Sequence, residues 1–164
     1  MRTLQQRIID WNRTRNSLAF DPNLEVVMLR EEASEFYMSS TLVDRIDAYC
    51  DFLFVSVGTR AKFGATKAVD CKTDWVEMKE LFEWITFTLN EMKAILIDEL
   101  ECNSGILVNW EHVLDTVFLD IVVNANEAKG TEKDENGKVK KGPDYKKPEA
   151  EIERVLNEKM NGRW

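Results

Sequence analysis

Residues 29–52 read LREEASEFYMSSTLVDRIDAYCDF, and the direction in which their acids point decides the fold. At about 100° per residue on an α-helix, Leu24, Val27, Met28, Met38 and Leu42 share one side of the first half. Glu31 and Glu35 fall in the middle of that side, and Glu32 at its edge. In the second half Asp47 and Asp51 lie between Phe54 and Val55, with Gly58 beneath them. The pattern predicts two successive helices whose carboxylates face the core and not water.

Working outward, the apolar periodicity predicts helices at about 2–17, 22–40, 42–63, 74–102, 109–129 and 148–161. Asp21-Pro22 is an N-cap followed by Pro at the first helical position. Thr41-x-x-Asp44 and Asp74-x-x-Glu77 fit the capping box, and Asn109 can cap the helix that follows it. No stretch alternates with the period of a strand, and no repeat is present. The expected fold is all-α, a helical bundle forming a single domain over residues 1–164.

Helix 74–102 carries Trp75, Met78, Leu81, Phe82, Ile85, Leu89, Met92, Leu96 and Leu100 on one face, with Trp84, Phe87 and Ile95 elsewhere. A second apolar face on a long helix points to a partner subunit, or to cover by the chain's own loops. Helix 109–129 is apolar nearly all round and belongs at the centre of a bundle or in an interface.

The bulk numbers exclude several classes. A net charge of −8 does not suit a chain that coats nucleic acid. The most apolar helix, near 113–125, is cut by Asp115 and Asp120, so no membrane span is expected. MRTLQQRIIDW has no apolar core of a signal peptide. Cys50, Cys71 and Cys102 show no CxxC, which predicts reduced thiols, a cytoplasmic setting and no cysteine-built zinc site. His112 is the only histidine, too little for a multi-histidine metal site or a Ser-His-Asp triad.

From about 127 to 148 the composition changes. EAKGTEKDENGKVKKGPDYKKP holds seven lysines against five acids, a segment of +2 that leaves −10 on the rest of the chain. Its glycines, prolines and missing apolar stripe predict a long loop, functional or merely solvated.

E-E-x-x-E alone is weak, because a solvated helix face in a chain with 30 acids produces it readily. Its position on an apolar side changes the weight. An ionised carboxylate there costs several kcal/mol unless it is paired or bound to a cation. Acids three or four residues apart also repel. Arg30 and Arg45 are too few to neutralise both sets and point elsewhere on the helical wheel. A hard divalent cation fits, with Mg²⁺ expected and Mn²⁺ admissible, bound through carboxylates, waters and phosphate oxygens. Such a site suits phosphate chemistry, and the loop lysines would neutralise a polyphosphate. No GxxxxGK[ST] is present, so the site is not a P-loop.

Here the chain resembles the all-α nucleoside triphosphate pyrophosphohydrolases, which include MazG, the dimeric dUTPases and phosphoribosyl-ATP pyrophosphohydrolase. The likeness rests on Glu31-Glu32-Ala33-Ser34-Glu35, then Asp47-Ala48-Tyr49-Cys50-Asp51 followed by Phe52-Leu53-Phe54-Val55. The second element departs from E-x-x-D, since Ala48 stands three before Asp51. Either Asp47 or Asp44 then supplies the fourth ligand, and Asp47 is preferred because the capping box accounts for Asp44.

A further likeness to phage- or integron-type MazG-like proteins lies in Asn126-Glu127-Ala128-Lys129, Asp134-Glu135-Asn136-Gly137-Lys138-Val139, Lys141-Gly142-Pro143-Asp144-Tyr145 and Pro148. The usual Ser before the Asn is Ala125 here. The resemblance covers residues 22–58 and 124–148 and omits helix 74–102.

The resemblance implies a MazG-like bundle assembled as a homodimer or homotetramer. It also implies hydrolysis of a nucleoside triphosphate, a dNTP or non-canonical NTP, to the monophosphate and pyrophosphate. Glu32, Glu35, Asp47 and Asp51 would hold Mg²⁺, and Glu31 would orient the attacking water or share in ligation. Asn126, Lys129, Lys138, Lys141 and Tyr145 would approach the nucleotide. Trp11, Asn12 and Phe20 are candidates for holding the base, with core packing as their plainer role. The competing expectation is a non-enzymatic helical interaction module whose acids sit in a protein interface.

Overall fold

The computed structural model describes residues 2–16, 19–67, 75–104, 108–135 and 139–162. Among these, six helices follow one another: α1 (Leu4–Asn16), α2 (Pro22–Met38), α3 (Leu42–Lys67), α4 (Trp75–Ser104), α5 and α6 (Glu149–Met160). α5 is one helix of three windings, α over Trp110–His112, π over Val113–Phe118 and α again over Leu119–Glu127. The described residues form no strand, and β-type pairing is confined to an isolated bridge between Lys133 and Val139. None of their helices is long and apolar enough to cross a membrane.

The predicted caps account for the helix starts. The Asp21 carboxylate accepts from the N–H groups of Asn23 and Leu24, with Pro22 opening α2. Thr41 Oγ1 accepts from the Asp44 N–H at 3.1 Å, and its own hydroxyl donates to the Asp44 carboxylate. Asn109 accepts from the His112 N–H. The Asp74-x-x-Glu77 box begins outside the described residues.

α3 is the hub, in contact with all five other helices. Its sequence permits this because Ile46, Ala48, Tyr49, Cys50, Phe52 and Phe54 give it buried surface in nearly every direction. Each large side chain among them contributes ~1.5–3 kcal/mol on burial. α5 is embedded as its apolarity requires, through Val113, Leu114, Phe118, Leu119, Val122 and Val123. The stripe of α4 packs inward from Met78 to Leu100. Cys50 and Cys102 are free thiols, and Cys71 lies outside the described residues.

One expectation is corrected. The buried side of α2 is Glu25, Leu29, Ala33 and Phe36, facing α3. Leu24, Val27, Tyr37 and Met38 are exposed, Met38 by 82%. Glu35 is exposed, while Glu31 and Glu32 are half-buried. The helical wheel chose the side with more large apolar residues. The core instead takes the side with Phe36 and with a carboxylate, Glu25, whose burial is possible because Lys62 meets it at 2.7 Å and Thr59 at 2.6 Å.

Of the exposed apolar residues of α2, Tyr37 has a neighbour on α4. Tyr37 donates to Glu91 at 2.7 Å, and Phe87 and Ile95 lie one turn to either side of Glu91. Both are exposed, and with the α2 residues they make up the exposed large apolar side chains of the described chain.

Candidate functional site

Asp47 and Asp51 sit one turn apart on α3, on a flank that α2, the end of α5 and the start of α6 all approach. α2 and α3 run antiparallel around a short connection, so Glu35 returns alongside Asp47 and Asp51. Glu32 flanks the α3-facing stripe, being three residues after Leu29 and four before Phe36. Glu31, one turn before Glu35, is half-buried.

From the other direction come the polar groups of the α5 exit. Asn126, buried at the last turn, donates through Nδ2 to Val122 O at 3.0 Å and to Asp51 Oδ1 at 3.4 Å. Its Oδ1 accepts from Lys129 Nζ at 2.7 Å. The loop then doubles back. The Gly130 N–H donates to Lys140 O, and the Lys140 N–H donates to Glu132 O at 2.8 Å. That fold-back brings Lys141 close to Lys129. Their ammonium groups lie 5.0 and 5.6 Å from the ring centroid of Tyr145, near enough for attraction to its face. Glu149, in the first turn of α6 after the buried Pro148, faces the same acids.

The electrostatics follow from burial of like charges. Asp47 is raised from 3.8 to about 8, first by burial, then by Asp51, Glu149 and Glu35, with Lys129 opposing. Asp51 is raised too, burial outweighing Lys129 and the Asn126 hydrogen bond. Lys129 is lowered, by burial first and by Lys141, against the pull of Asp51, Glu32 and Asp47. Tyr145 is raised by burial and by Asp51, Asp47 and Glu149.

Of the buried carboxylate oxygens without a hydrogen-bond partner, two lie at this site, Asp47 Oδ1 and Glu149 Oε2. Such groups are costly unless something binds them, and hard oxygen donors suit a divalent cation. Among the described residues, no three acid, histidine or cysteine side chains converge into a finished ion cage.

The residues expected from the sequence therefore divide. Glu35, Asp47, Asp51, Asn126, Lys129, Lys141 and Tyr145 come together, with Glu32 acting on Lys129. Glu31 is half-buried on α2, and Lys138 lies outside the described residues. Asp44 is held by Thr41 at the start of α3. Asn12 is buried in the α1–α3 crossing, where a Cβ on Gly58 would come within 2.7 Å of its Nδ2. Trp11 has its N–H engaged by Asn126 O, and Phe20 packs edge-on against Phe63.

Glu149 was not legible. An acid in the first turn of a helix already complements the helix dipole, so nothing in its local sequence marks it out.

No protein-family model, curated protein or solved structure matches the chain.

Proposed function

We propose that the chain is a Mg²⁺-dependent nucleoside triphosphate pyrophosphohydrolase, releasing pyrophosphate and the nucleoside monophosphate, with Mn²⁺ able to replace Mg²⁺. The carrying observation is the pair of half-buried acids one turn apart on α3, one with a buried, unpartnered oxygen, beside Lys129, which shares the Tyr145 ring with Lys141. Acids alone would suit many roles. Acids beside a lysine of a folded-back loop suit a cation and a polyphosphate together.

Asp47 and Asp51 would hold the cation, with Glu35 and Glu32 reaching it through bound waters, and the bound ion would neutralise phosphate charge and make a water nucleophilic. Lys129 and Lys141 would take phosphate oxygens, drawing Lys129 from Asn126 toward the ligand. Asn126 keeps Asp51 oriented through its amide. Glu31, Glu32 and Glu35 are the candidates for holding the attacking water. The exposed α2–α4 surface suits a second copy of the chain, as in a homodimer.

The test is a panel of canonical and modified NTPs and dNTPs with Mg²⁺ and with EDTA, reading pyrophosphate and monophosphate. Metal-dependent release that is lost in Glu35→Gln supports the proposal. Full activity in Glu35→Gln removes the site assignment.

A second reading, a helical interaction module, is favoured by the exposed Val27, Met38 and Phe87. It predicts no hydrolysis across the panel and a melting temperature indifferent to Mg²⁺.

A further inference from the structure

The last turn of a helix leaves carbonyl groups without a partner inside the helix, and at the end of α5, where the Lys129 N–H donates to Asn126 O at 3.1 Å, further donors come from α1. The Trp11 indole N–H donates to Asn126 O at 2.7 Å. The Arg15 guanidinium donates to the carbonyls of Glu127 at 3.2 Å, Lys129 at 2.9 Å and Gly130 at 3.0 Å. It also lies 5.1 Å from the Trp11 ring centroid, and that ring meets Phe54 of α3 edge-on at 5.2 Å. The backbone of the α5 exit is thus held from one side by α1, while the side chains of Asn126 and Lys129 reach the α3 acids.

We propose that Trp11 and Arg15 form a clamp that positions Asn126 and Lys129 against Asp51. Neither need touch a ligand. Arg15 suits the task because its planar fork serves three carbonyls at once, which a lysine ammonium on a flexible stem does not reproduce. An ordinary stabilising cap would act on the whole fold. A clamp acts locally, because α1 remains docked without Arg15: Arg7 separately binds Asp120, Asn124 and Glu127 on α5.

The consequence for phosphate rests on the function proposed above, so the test has two readouts. The first is amide hydrogen exchange in the parent protein, Arg15→Met, Arg15→Lys and Trp11→Phe. Exchange about tenfold faster at residues 126–130, with the α3 amides unchanged, supports the clamp. Unchanged exchange at 126–130 in Arg15→Met overturns it, as does uniform acceleration throughout the bundle.

The second readout is calorimetric binding of inorganic pyrophosphate with Mg²⁺. Arg15→Met should weaken it about tenfold, and the Arg15→Met/Lys129→Met double variant should bind no worse than Lys129→Met alone. Additive losses would mean that Arg15 acts by another route and overturn the assignment. Local loosening in a protein whose parent form binds no pyrophosphate would support the clamp while removing the phosphate role of Lys129.

Discussion

The Lys62 ammonium lies 2.7 Å from the Glu25 carboxylate, with both side chains almost wholly buried between α2 and α3. The pair sits at the far end of the antiparallel contact that brings Glu35 to Asp47. Removing one partner leaves an uncompensated buried charge, so Lys62→Met should cost about 3–5 kcal/mol. The Glu25→Gln/Lys62→Met double variant should recover much of that loss. Chemical denaturation of the three proteins checks this, and equal losses in the single and double variants would contradict it.

Stability without metal should fall as pH rises. Asp47 has a folded value of about 8 against an ordinary 3.8, raised by burial and then by Asp51. Between those values the native state keeps a proton that the unfolded chain has lost, so its contribution declines as pH rises through this window and levels off above it. Melting curves in EDTA from pH 5 to pH 9 should show the decline, Mg²⁺ should reduce it, and Asp47→Asn should flatten it.

Gly58 marks where α1 crosses α3. An added Cβ would meet Asn12 Nδ2 at 2.7 Å and Oδ1 at 3.0 Å. Gly58→Ala should therefore destabilise by about 1–3 kcal/mol through overpacking, despite alanine's better helix propensity. Thermal denaturation decides, and a stabilised variant would mean that Asn12 has room to move.

The α2–α4 surface should govern assembly. Val27 is 61% and Phe87 67% exposed, so the Val27→Lys/Phe87→Lys variant should fold normally. Sedimentation should find the parent protein as a dimer and the variant as a monomer. A monomeric parent would remove the homodimer from the proposal.

The all-helical fold was legible because α3, α4 and α5 carry apolar residues at helical spacing over long stretches, and Asp21, Thr41 and Asn109 announce helix starts. The orientation of α2 was not. Leu24, Val27 and Met38 outweigh Leu29 and Phe36 in any local count, and what reverses the choice is Lys62, 37 positions from Glu25. Gly58 shares the stripe of the acids by spacing, and its approach to Asn12 of α1 is a contact that spacing does not reveal.

The site was partly legible, since Asp47 and Asp51 share a face by spacing alone and the lysines stand out in composition. Glu149 and Arg15 were invisible because each acts on groups far away in the chain. The π turn at Val113–Phe118 was hidden by a helix apolar on every side.

The measurement nearest the centre of the account is calorimetric titration of Mn²⁺ into the metal-free protein and into Asp51→Asn. The account predicts saturable binding by the parent protein and its loss in the variant. Absence of saturable binding, or binding untouched by the substitution, would contradict it and leave the buried acids to an interface.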